Sequence, residues 1–398
     1  MEFDAKLKEV QTTLIKEGIE GWLLFDFRHS NSLAYTFLEI PLGKMVTRRF
    51  FYWIPQQGDP IKIVPLIEPY TLDHLPGVKW LYRGWHDLER LLISLVVENG
   101  KIAMEYSPYN ALPTISKVDG GMIELIQKTG ATVVSSADIL QWYTSIWTPE
   151  QLQSHLAAAK VLERIVDRTW FFIEHSLQLQ TPLDEYQVQQ FMLQAMHDEG
   201  CQTDDEPTCA VNAHSADPHY HPDPSHAFPI RKGDFILLDL WCKQKVAHSV
   251  YADITRVGLA ASRPSQKQNE IFNIVKDARD QATLFIKEHY ENQRPIQGWQ
   301  VDQVCRDRIE EAGYGEYFIH RTGHSIGQEV HGPGANLDNL ETHDYRQLLP
   351  GTAFSVEPGI YLPQQFGVRL EYDIYLDPAG QVRITGGIQE EIVCLQVE

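Results

Sequence analysis

The sequence has few cysteines, and it has no apolar run long enough to cross a membrane. Its five cysteines are odd in number, lie far apart and form no CxxC pair. They therefore argue against a disulfide framework and against a zinc site of the CxxC type. The first ten residues, MEFDAKLKEV, contain neither the basic nor the apolar region of a secretory signal, so a reducing, cytoplasmic location is expected.

Positive charge is also scarce. Lysine and arginine total 34 against 54 aspartates and glutamates, which gives a formal net charge of −20 at pH 7. A chain with this balance repels phosphate backbones and anionic lipid, so neither nucleic acid nor a membrane surface is an expected partner. One other use for so many carboxylates is to hold cations.

The 398 residues exceed what one hydrophobic core usually organises, and the sequence pattern changes near residue 147. Before that point, short runs of β-branched and aromatic residues alternate with helical patterns, which predicts an α/β domain over residues 1–147. The expected strands are 21–26, 50–55, 61–65, 101–105 and 131–134, and the expected helices are 5–17, 87–98 and 137–146.

Residues 148–398 are expected to form a second domain, of the α+β class. Thr148 and Pro149 suit the N-cap and the first position of a long amphipathic helix over roughly 149–175. Strands and helices then follow in unequal blocks rather than in strict alternation. The expected helices are 182–199, 265–289 and 300–312, and the expected strands are 235–240, 353–357, 367–371 and 389–395.

Acidic residues recur within the apolar strand patterns of the second domain, toward the strand ends. They are Asp239, Asp253, Glu357 and Glu371. An ionised carboxylate that is buried without a partner costs several kcal/mol. Either cations neutralise these groups, or the groups face water at the rim. For a single strand carboxylate the rim or a salt bridge is the more frequent situation.

His324 favours the interpretation that these carboxylates bind cations. It lies in the segment GHSIG (323–327), where small neighbours let a ligand approach the backbone closely. Four carboxylates and one imidazole form a ligand set suited to Mn²⁺, Co²⁺ or Zn²⁺. Two such ions, ~3.5–4 Å apart, can share bridging carboxylates.

Taken in order, the four carboxylates and the histidine resemble the metal ligands of the M24 metallopeptidases. The surrounding motifs DITR, GHSIG, VEPGIY and VRLE match as well. The resemblance implies a pita-bread catalytic domain preceded by a creatinase-type α/β domain. It is strong over 205–393 and loose before about 147. Methionine aminopeptidases generally lack so large a front domain, so the resemblance favours the Xaa-Pro aminopeptidase and prolidase branch.

The resemblance implies a centre of two divalent ions, with Mn²⁺ as the first expectation and Co²⁺ or Zn²⁺ as alternatives. Asp239 would hold one ion, and Asp253 and Glu371 would bridge both. His324 and Glu357 would complete the second. A hydroxide between the ions would attack the scissile carbonyl, with Glu357 passing a proton to the leaving nitrogen.

The same resemblance implies four residues at the substrate. His219 and His331 are expected to be catalytic: the first contacts the substrate near the attacked bond, and the second stabilises the oxyanion. Arg369, two residues before Glu371, would hold substrate or a ligand carboxylate. Trp241 stands where the family commonly has glycine, so its ring would narrow the pocket or form an apolar wall for proline.

Two departures from the family pattern concern the pocket. Asp239 and Asp253 are 14 residues apart, about three more than usual, and an insertion at the hairpin tip, within 242–248, would leave both ligands in place. His331 is followed by Gly-Pro-Gly where the family more often has Glu-x-Pro.

Three further histidines, His214, His221 and His226, share the loop that carries His219. Their spacing matches no metal motif. They are expected to be mostly solvated, with His221 as a secondary candidate for substrate contact.

The expected activity is hydrolysis of the Xaa-Pro bond at a peptide N-terminus, by an Xaa-Pro aminopeptidase or an Xaa-Pro dipeptidase. A homodimer is the family expectation. Two alternatives stay open. One is a creatinase-like amidinohydrolase, or another non-peptidase on the same fold, which would use no metal. The other is a non-catalytic module that grips a peptide. Retention of all five ligand positions argues against both.

Overall fold

The computed structural model describes residues 3–41, 43–95 and 99–397. Contacts between residues divide the chain into two compact units, Met1–Thr144 and Ser145–Glu398. The first unit is α/β and the second is α+β, as the sequence pattern predicts. Within the described ranges, no helix is both long enough and apolar enough to span a bilayer.

The first unit is built on a six-stranded sheet of order β4-β3-β2-β1-β5-β6. Only β2 runs antiparallel to its neighbours in this sheet. The strands are β1 (Gly21–Asp26), β2 (Phe50–Pro55), β3 (Ile61–Pro65), β4 (Val78–Tyr82), β5 (Lys101–Met104) and β6 (Thr132–Ser135). The helices are α1 (Phe3–Glu17), α2 (Ser32–Phe37), α3 (Trp85–Leu95), α4 (Gly120–Gln127) and α5 (Ala137–Thr144). One face packs against α1, α2 and α5, and the other packs against α3 and α4.

The buried strands of this unit are confirmed almost residue for residue, and the elements that were missed have weak sequence signals. β4 is an edge strand with mostly exposed side chains, so it lacks an apolar pattern. α4 opens with two glycines after Asp119, whose side chain accepts a hydrogen bond from Met122 N at 2.9 Å. The end of the expected helix 87–98, residues 96–98, lies outside the described residues.

The second unit has longer helices than the first and more strands. Its helices are α6 (Pro149–Gln178), α7 (Glu185–Asp198), α8 (Gln266–Tyr290) and α9 (Gly298–Glu311). Its strands are β7 (Cys201–Gln202), β8 (Thr208–Val211), β9 (Phe235–Gln244), β10 (Ala252–Leu259), β11 (Ser325–Ile326), β12 (Ala353–Val356), β13 (Gly359–Leu362), β14 (Phe366–Arg369), β15 (Tyr372–Asp377), β16 (Gln381–Thr385) and β17 (Val393–Cys394). The strand expected over 389–395 is thus reduced to two residues.

The β9–β10 hairpin is the centre of this unit, and apolar side chains cover both of its faces. On one face, Leu237 and Val257 pack with α8 and α9. On the other, Leu238 and Ile254 pack with α6 and α7. The hairpin belongs to a sheet of order β17-β10-β9-β7, with β8 also paired to β9. Burial on both faces explains why β9 reads as a continuous apolar run rather than an alternating one.

The start of α6 confirms the predicted cap. Gln151 N donates to the Thr148 hydroxyl at 3.2 Å, and Thr148 N donates to Gln151 Oε1 at 2.9 Å. Together they form a capping box, with Pro149 at the first helical position. The helix continues to Gln178, three residues beyond the expected end, because its apolar stripe stays buried as far as Leu177.

Leu162 tests the packing of α6, because its side chain is fully buried in the core shared with α7 and β9. We expect Leu162→Ala to lower the free energy of unfolding by about 2–5 kcal/mol, since it leaves a cavity. Lys160→Ala, at an exposed position of the same helix, should change it by less than about 0.5 kcal/mol. Urea denaturation measures both, and equal effects would contradict this packing.

Candidate metal centre

Asp239 and Asp253 lie on the same face of the β9–β10 hairpin. In the strand register Asp239 is opposite Thr255, and Trp241 is opposite Asp253. The expectation that the acidic residues lie toward strand ends is wrong for Asp239, because β9 continues to Gln244. It is confirmed for Asp253, which is the second residue of β10. The longer connection falls in residues 245–251, beyond both carboxylates.

Thr255 joins the carboxylates of Asp239 and Glu371. Its hydroxyl lies 3.1 Å from Asp239 Oδ1 and 2.6 Å from Glu371 Oε2. Arg369 donates to the same hydroxyl from Nε, at 3.0 Å, and forms an ion pair with Asp239 through its terminal nitrogen. One guanidinium and one hydroxyl thus fix two carboxylates that would otherwise repel each other.

His324 and Glu357 complete the cluster. His324 Nε2 lies 3.6 Å from Asp253 Oδ2 and 3.4 Å from Glu357 Oε1. One potential ligand atom from each of Asp253, His324 and Glu371 falls within 4.8 Å of the other two. The structure therefore brings together all five side chains expected as metal ligands.

The backbone around His324 explains the glycine that precedes it. His324 N donates to Ser355 Oγ at 3.0 Å, and Ser355 N donates to the His324 carbonyl at 2.9 Å. A Cβ at Gly323 would collide with the Ser355 carbonyl oxygen, so only glycine fits there. Ser355 Oγ also donates to Glu357 Oε1 at 3.0 Å, so the same serine orients both the histidine and the glutamate.

Burial dominates the electrostatics of the cluster. Burial, reinforced by the neighbouring carboxylates, raises the pKa of Asp253 and of Glu371 well above the usual range. Burial also raises the pKa of Asp239, against the opposing charge of Arg369. Glu357 differs: burial alone would raise its pKa, but the surrounding histidines and arginines together lower it. The cluster holds more negative charge than its protein partners neutralise.

Within the part of the chain that the structure describes, two oxygens of the cluster have no hydrogen-bond partner. They are Asp253 Oδ1 and Glu371 Oε1, and both are buried. Buried polar atoms in folded proteins nearly always have a partner, and a missing one is costly. A divalent cation would satisfy both oxygens and offset the repulsion between the carboxylates, so these residues fit a metal site.

The structure places one predicted catalytic histidine beside the cluster. The His331 ring lies 4.4 Å from the His324 ring, centroid to centroid, and nearly perpendicular to it. Desolvation, together with the charge of His324, lowers the pKa of His331 to about 4.

The ring of the other predicted catalytic histidine, His219, is not brought into the cluster. It is exposed, and none of the contacts described for it reaches the five residues.

Arg369 and Trp241 both lie close to the cluster, with different contacts. Arg369 is engaged by Asp239, Thr255 and the Tyr361 hydroxyl, the last at 3.1 Å from Nη1. These contacts favour its role as holder of a ligand carboxylate. The Trp241 indole packs in a small apolar group with Trp147 and Ile326, and its Nε1 is buried without a partner.

Sequence reasoning missed His320, a half-buried histidine with a defined contact. Its Nε2 lies 2.7 Å from the Tyr361 hydroxyl, which connects it through Arg369 to Asp239. Burial lowers its pKa to about 4. The available signal was the segment HRTGH, in which a second histidine precedes His324 by four residues.

The sequence profile of Metallopeptidase family M24 matches residues 153–378, more than half of the chain. The chain belongs to the M24 metallopeptidase family. Membership implies divalent metal ions, and the matched range contains all five residues of the cluster.

Curated relatives agree with this assignment. The chain is 38% identical to an uncharacterised peptidase, YqhT, of Bacillus subtilis over 165 residues. This aligned stretch covers 41% of this chain and 42% of that protein. It is 34% identical over 156 residues to an Xaa-Pro dipeptidase of Pyrococcus furiosus, covering 39% and 41%. The chain thus spans about two fifths of the length of the curated relatives it matches.

Solved structures extend the likeness over nearly the whole chain. A prolidase from Thermococcus sibiricus has a TM-score of 0.62 at 24% identity, covering 99% of this chain and 100% of that one. The dipeptidase PepE from Mycobacterium ulcerans has a TM-score of 0.68 at 21% identity, covering 99% and 98%. The predicted two-domain architecture with a pita-bread catalytic domain is confirmed at the level of the fold.

Metal binding is expected to raise the melting temperature, because an ion that binds only the folded state stabilises it. When chelator-treated protein is given Mn²⁺ at about 100 times the dissociation constant of Mn²⁺, its free energy of unfolding should rise by about 2.7 kcal/mol. Asp253→Asn should lose most of this gain, whereas Asp277→Asn, an exposed carboxylate on α8, should keep it. Differential scanning calorimetry measures the shift. An equal gain in the wild type and in Asp253→Asn would contradict the site.

Proposed function

We propose that this protein is a dinuclear metal-dependent exopeptidase, a hydrolase that cleaves the Xaa-Pro bond at peptide N-termini. The observation that carries the proposal is the cluster of four carboxylates and His324, in which Asp253, His324 and Glu371 are buried and two oxygens have no partner among the described residues. The family match and relatives named as Xaa-Pro dipeptidases support the same activity.

In this proposal the five residues of the cluster hold two ions, Mn²⁺ first among the candidates and Co²⁺ or Zn²⁺ next. Asp239 would be a ligand of one ion, and His324 and Glu357 would be ligands of the other. Asp253 and Glu371 would be ligands shared by both. When bound, the ions supply a nucleophile at neutral pH and polarise the scissile carbonyl. The orphan oxygens of Asp253 and Glu371 support the bridging assignment, because each offers a second ligand atom.

Glu357 is the proposed proton carrier. Nearby histidines and arginines lower its pKa, so it is ionised and able to accept a proton from the attacking water. Its Oε1 is oriented by Ser355 at 3.0 Å, and its Oε2 lies 3.9 Å from Arg369 Nε. The proton would then pass to the proline nitrogen as that bond breaks.

The remaining predicted residues form the substrate pocket in this proposal. His331, beside His324, would donate a hydrogen bond to the developing oxyanion. His219 would contact the substrate near the attacked bond. The Trp241 indole, next to Asp253 across the hairpin, would form an apolar wall for the proline ring.

Turnover of two peptides tests this function. Purified protein with Mn²⁺ is given an Xaa-Pro dipeptide and an Xaa-Pro-Xaa tripeptide, with the matching Xaa-Ala peptides as controls. Cleavage of the dipeptide alone identifies a dipeptidase, and cleavage of the tripeptide identifies an aminopeptidase. Peptide binding without cleavage would favour the non-catalytic module. Metal-independent hydrolysis of creatine would favour the creatinase-like alternative.

We also infer a cytoplasmic homodimer that has no nucleic-acid or membrane partner. The net charge of −20 supports the absence of anionic partners. Analytical ultracentrifugation tests the dimer, and a sedimenting monomer at micromolar concentration would refute it.

Glu357→Gln is expected to lower kcat by about 10²–10⁴-fold, because an amide cannot carry the proton. The near-isosteric change should leave the circular dichroism spectrum unaltered. Glu310→Gln, at an exposed position of α9, serves as the control and should have wild-type kcat. Steady-state assays with the cleaved peptide measure both, and a near-normal kcat in Glu357→Gln would rule out its role as proton carrier.

A further inference from the structure

Glu185, the first residue of α7, is fully buried and accepts hydrogen bonds from four groups of one loop. The donors are Val211 N at 2.6 Å, His214 Nδ1 at 2.9 Å, the Tyr220 hydroxyl at 2.6 Å and Phe228 N at 2.6 Å. A buried carboxylate requires such partners to offset its desolvation. The donors lie between the last residue of β8, Val211, and Phe228. This one side chain therefore holds the loop that follows β8 at its start, in its middle and at its end.

The expectation that His214 is a solvated loop residue is wrong. Its ring stacks between Tyr220, at 4.1 Å between centroids, and Phe228, at 3.6 Å. The Glu185 carboxylate and this stack of three rings therefore form one anchor. His221 and His226 are exposed, as expected, and pair with carboxylates of exposed side chains.

The anchored loop runs beside the proposed metal centre. Thr208 Oγ1 donates to the Tyr220 carbonyl at 3.2 Å, and Thr208 is the strand partner of Asp239. Gly367 N, two residues before Arg369, donates to Ser215 Oγ at 2.9 Å. A Cβ at Gly367 would collide with the Ser215 carbonyl oxygen, so the loop and β14 are in close contact.

His219 lies between these fixed points. Its ring is exposed, and the contact described for the residue is that of its backbone N–H with Asp217 Oδ1, at 3.0 Å. Its position is therefore set by its neighbour Tyr220, whose hydroxyl is held by Glu185 and whose carbonyl is held by Thr208. Glu185 itself makes none of its described hydrogen bonds with the five residues of the cluster.

We propose that Glu185 is a positioning residue that holds the 212–228 loop so that His219 meets the substrate. This inference rests on the proposed function. In Glu185→Gln the amide NH₂ would face N–H donors such as Phe228 N, so the loop would lose part of its anchor. A displacement of ~1 Å at a substrate contact can lower the rate by about 10²-fold.

The first experiment compares kcat/KM and metal content in four proteins: wild type, Glu185→Gln, Tyr220→Phe and Gln187→Ala. Glu185→Gln should lose about tenfold or more in kcat/KM with its metal retained, and Tyr220→Phe should lose less, because one donor goes instead of the acceptor. Gln187→Ala removes the side-chain acceptor of the capping box at the same helix end, and it touches none of the four donors. It should stay within about twofold of the wild type, so it controls for simple weakening of α7.

A double-mutant cycle with His219→Ala separates positioning from general destabilisation. If Glu185 acts through His219, Glu185→Gln should cost less than about twofold in the His219→Ala background. The same loss in both backgrounds would overturn the inference, as would loss of metal or unchanged activity in Glu185→Gln. If Glu185→Gln does not fold, the cycle with Tyr220→Phe decides in the same way.

Different experimental results would refute the proposed function and this inference. A wild type that cleaves neither Xaa-Pro peptide refutes the proposed function, and the inference falls with it before any variant is compared. A wild type that cleaves them, with a variant that does not differ, refutes the inference alone.

Discussion

The second unit is organised around like charges buried next to one another. Asp253 and Glu371 are 4% and 2% exposed, and each keeps one oxygen without a partner. In the described part of the chain, Arg369 is the one lysine or arginine that forms an ion pair with a carboxylate of the cluster. Repulsion between these carboxylates has to be resisted by the packing around them. The β9–β10 hairpin provides this packing, because apolar cores cover both of its faces.

Strands and loops around this hairpin carry different groups of residues. The residues proposed as metal ligands project from strands or lie directly beside them, where small shifts are resisted by packing. Of the residues proposed for the substrate, Trp241 and Arg369 lie on strands, whereas His219 and His331 lie on loops, which need anchors of their own. Ser355 provides one anchor for the His324 segment, and Glu185 provides another for the loop around His219. Both anchors are hydrogen bonds to backbone or side-chain groups of the segment they hold, so they restrict its position.

The sequence was sufficient to predict the buried strands and to single out the five side chains of the cluster, because both signals depend on residue type and order. It was insufficient to predict contacts between residues that are distant in the chain but close in space. Thr255 reads as an ordinary strand residue, yet its hydroxyl links two carboxylates. His214 reads as one more loop histidine, and its burial depends on Glu185, 29 residues earlier. Asp239 was placed at a strand end because the apolar run stops there, although the strand continues with less apolar residues.

The departures from the family pattern lie around the cluster rather than in it. The extra residues of the hairpin fall beyond the pair formed by Cys242 and Ala252, and therefore beyond Asp239 and Asp253. Trp241 shares its strand face with Asp239 but packs into an apolar group, so it changes the wall beside the centre and not the centre itself. Metal chemistry requires a fixed set of donors, whereas substrate choice depends on the shape of the surrounding wall. Under the proposed function, the longer hairpin and the indole would therefore affect substrate choice rather than metal binding.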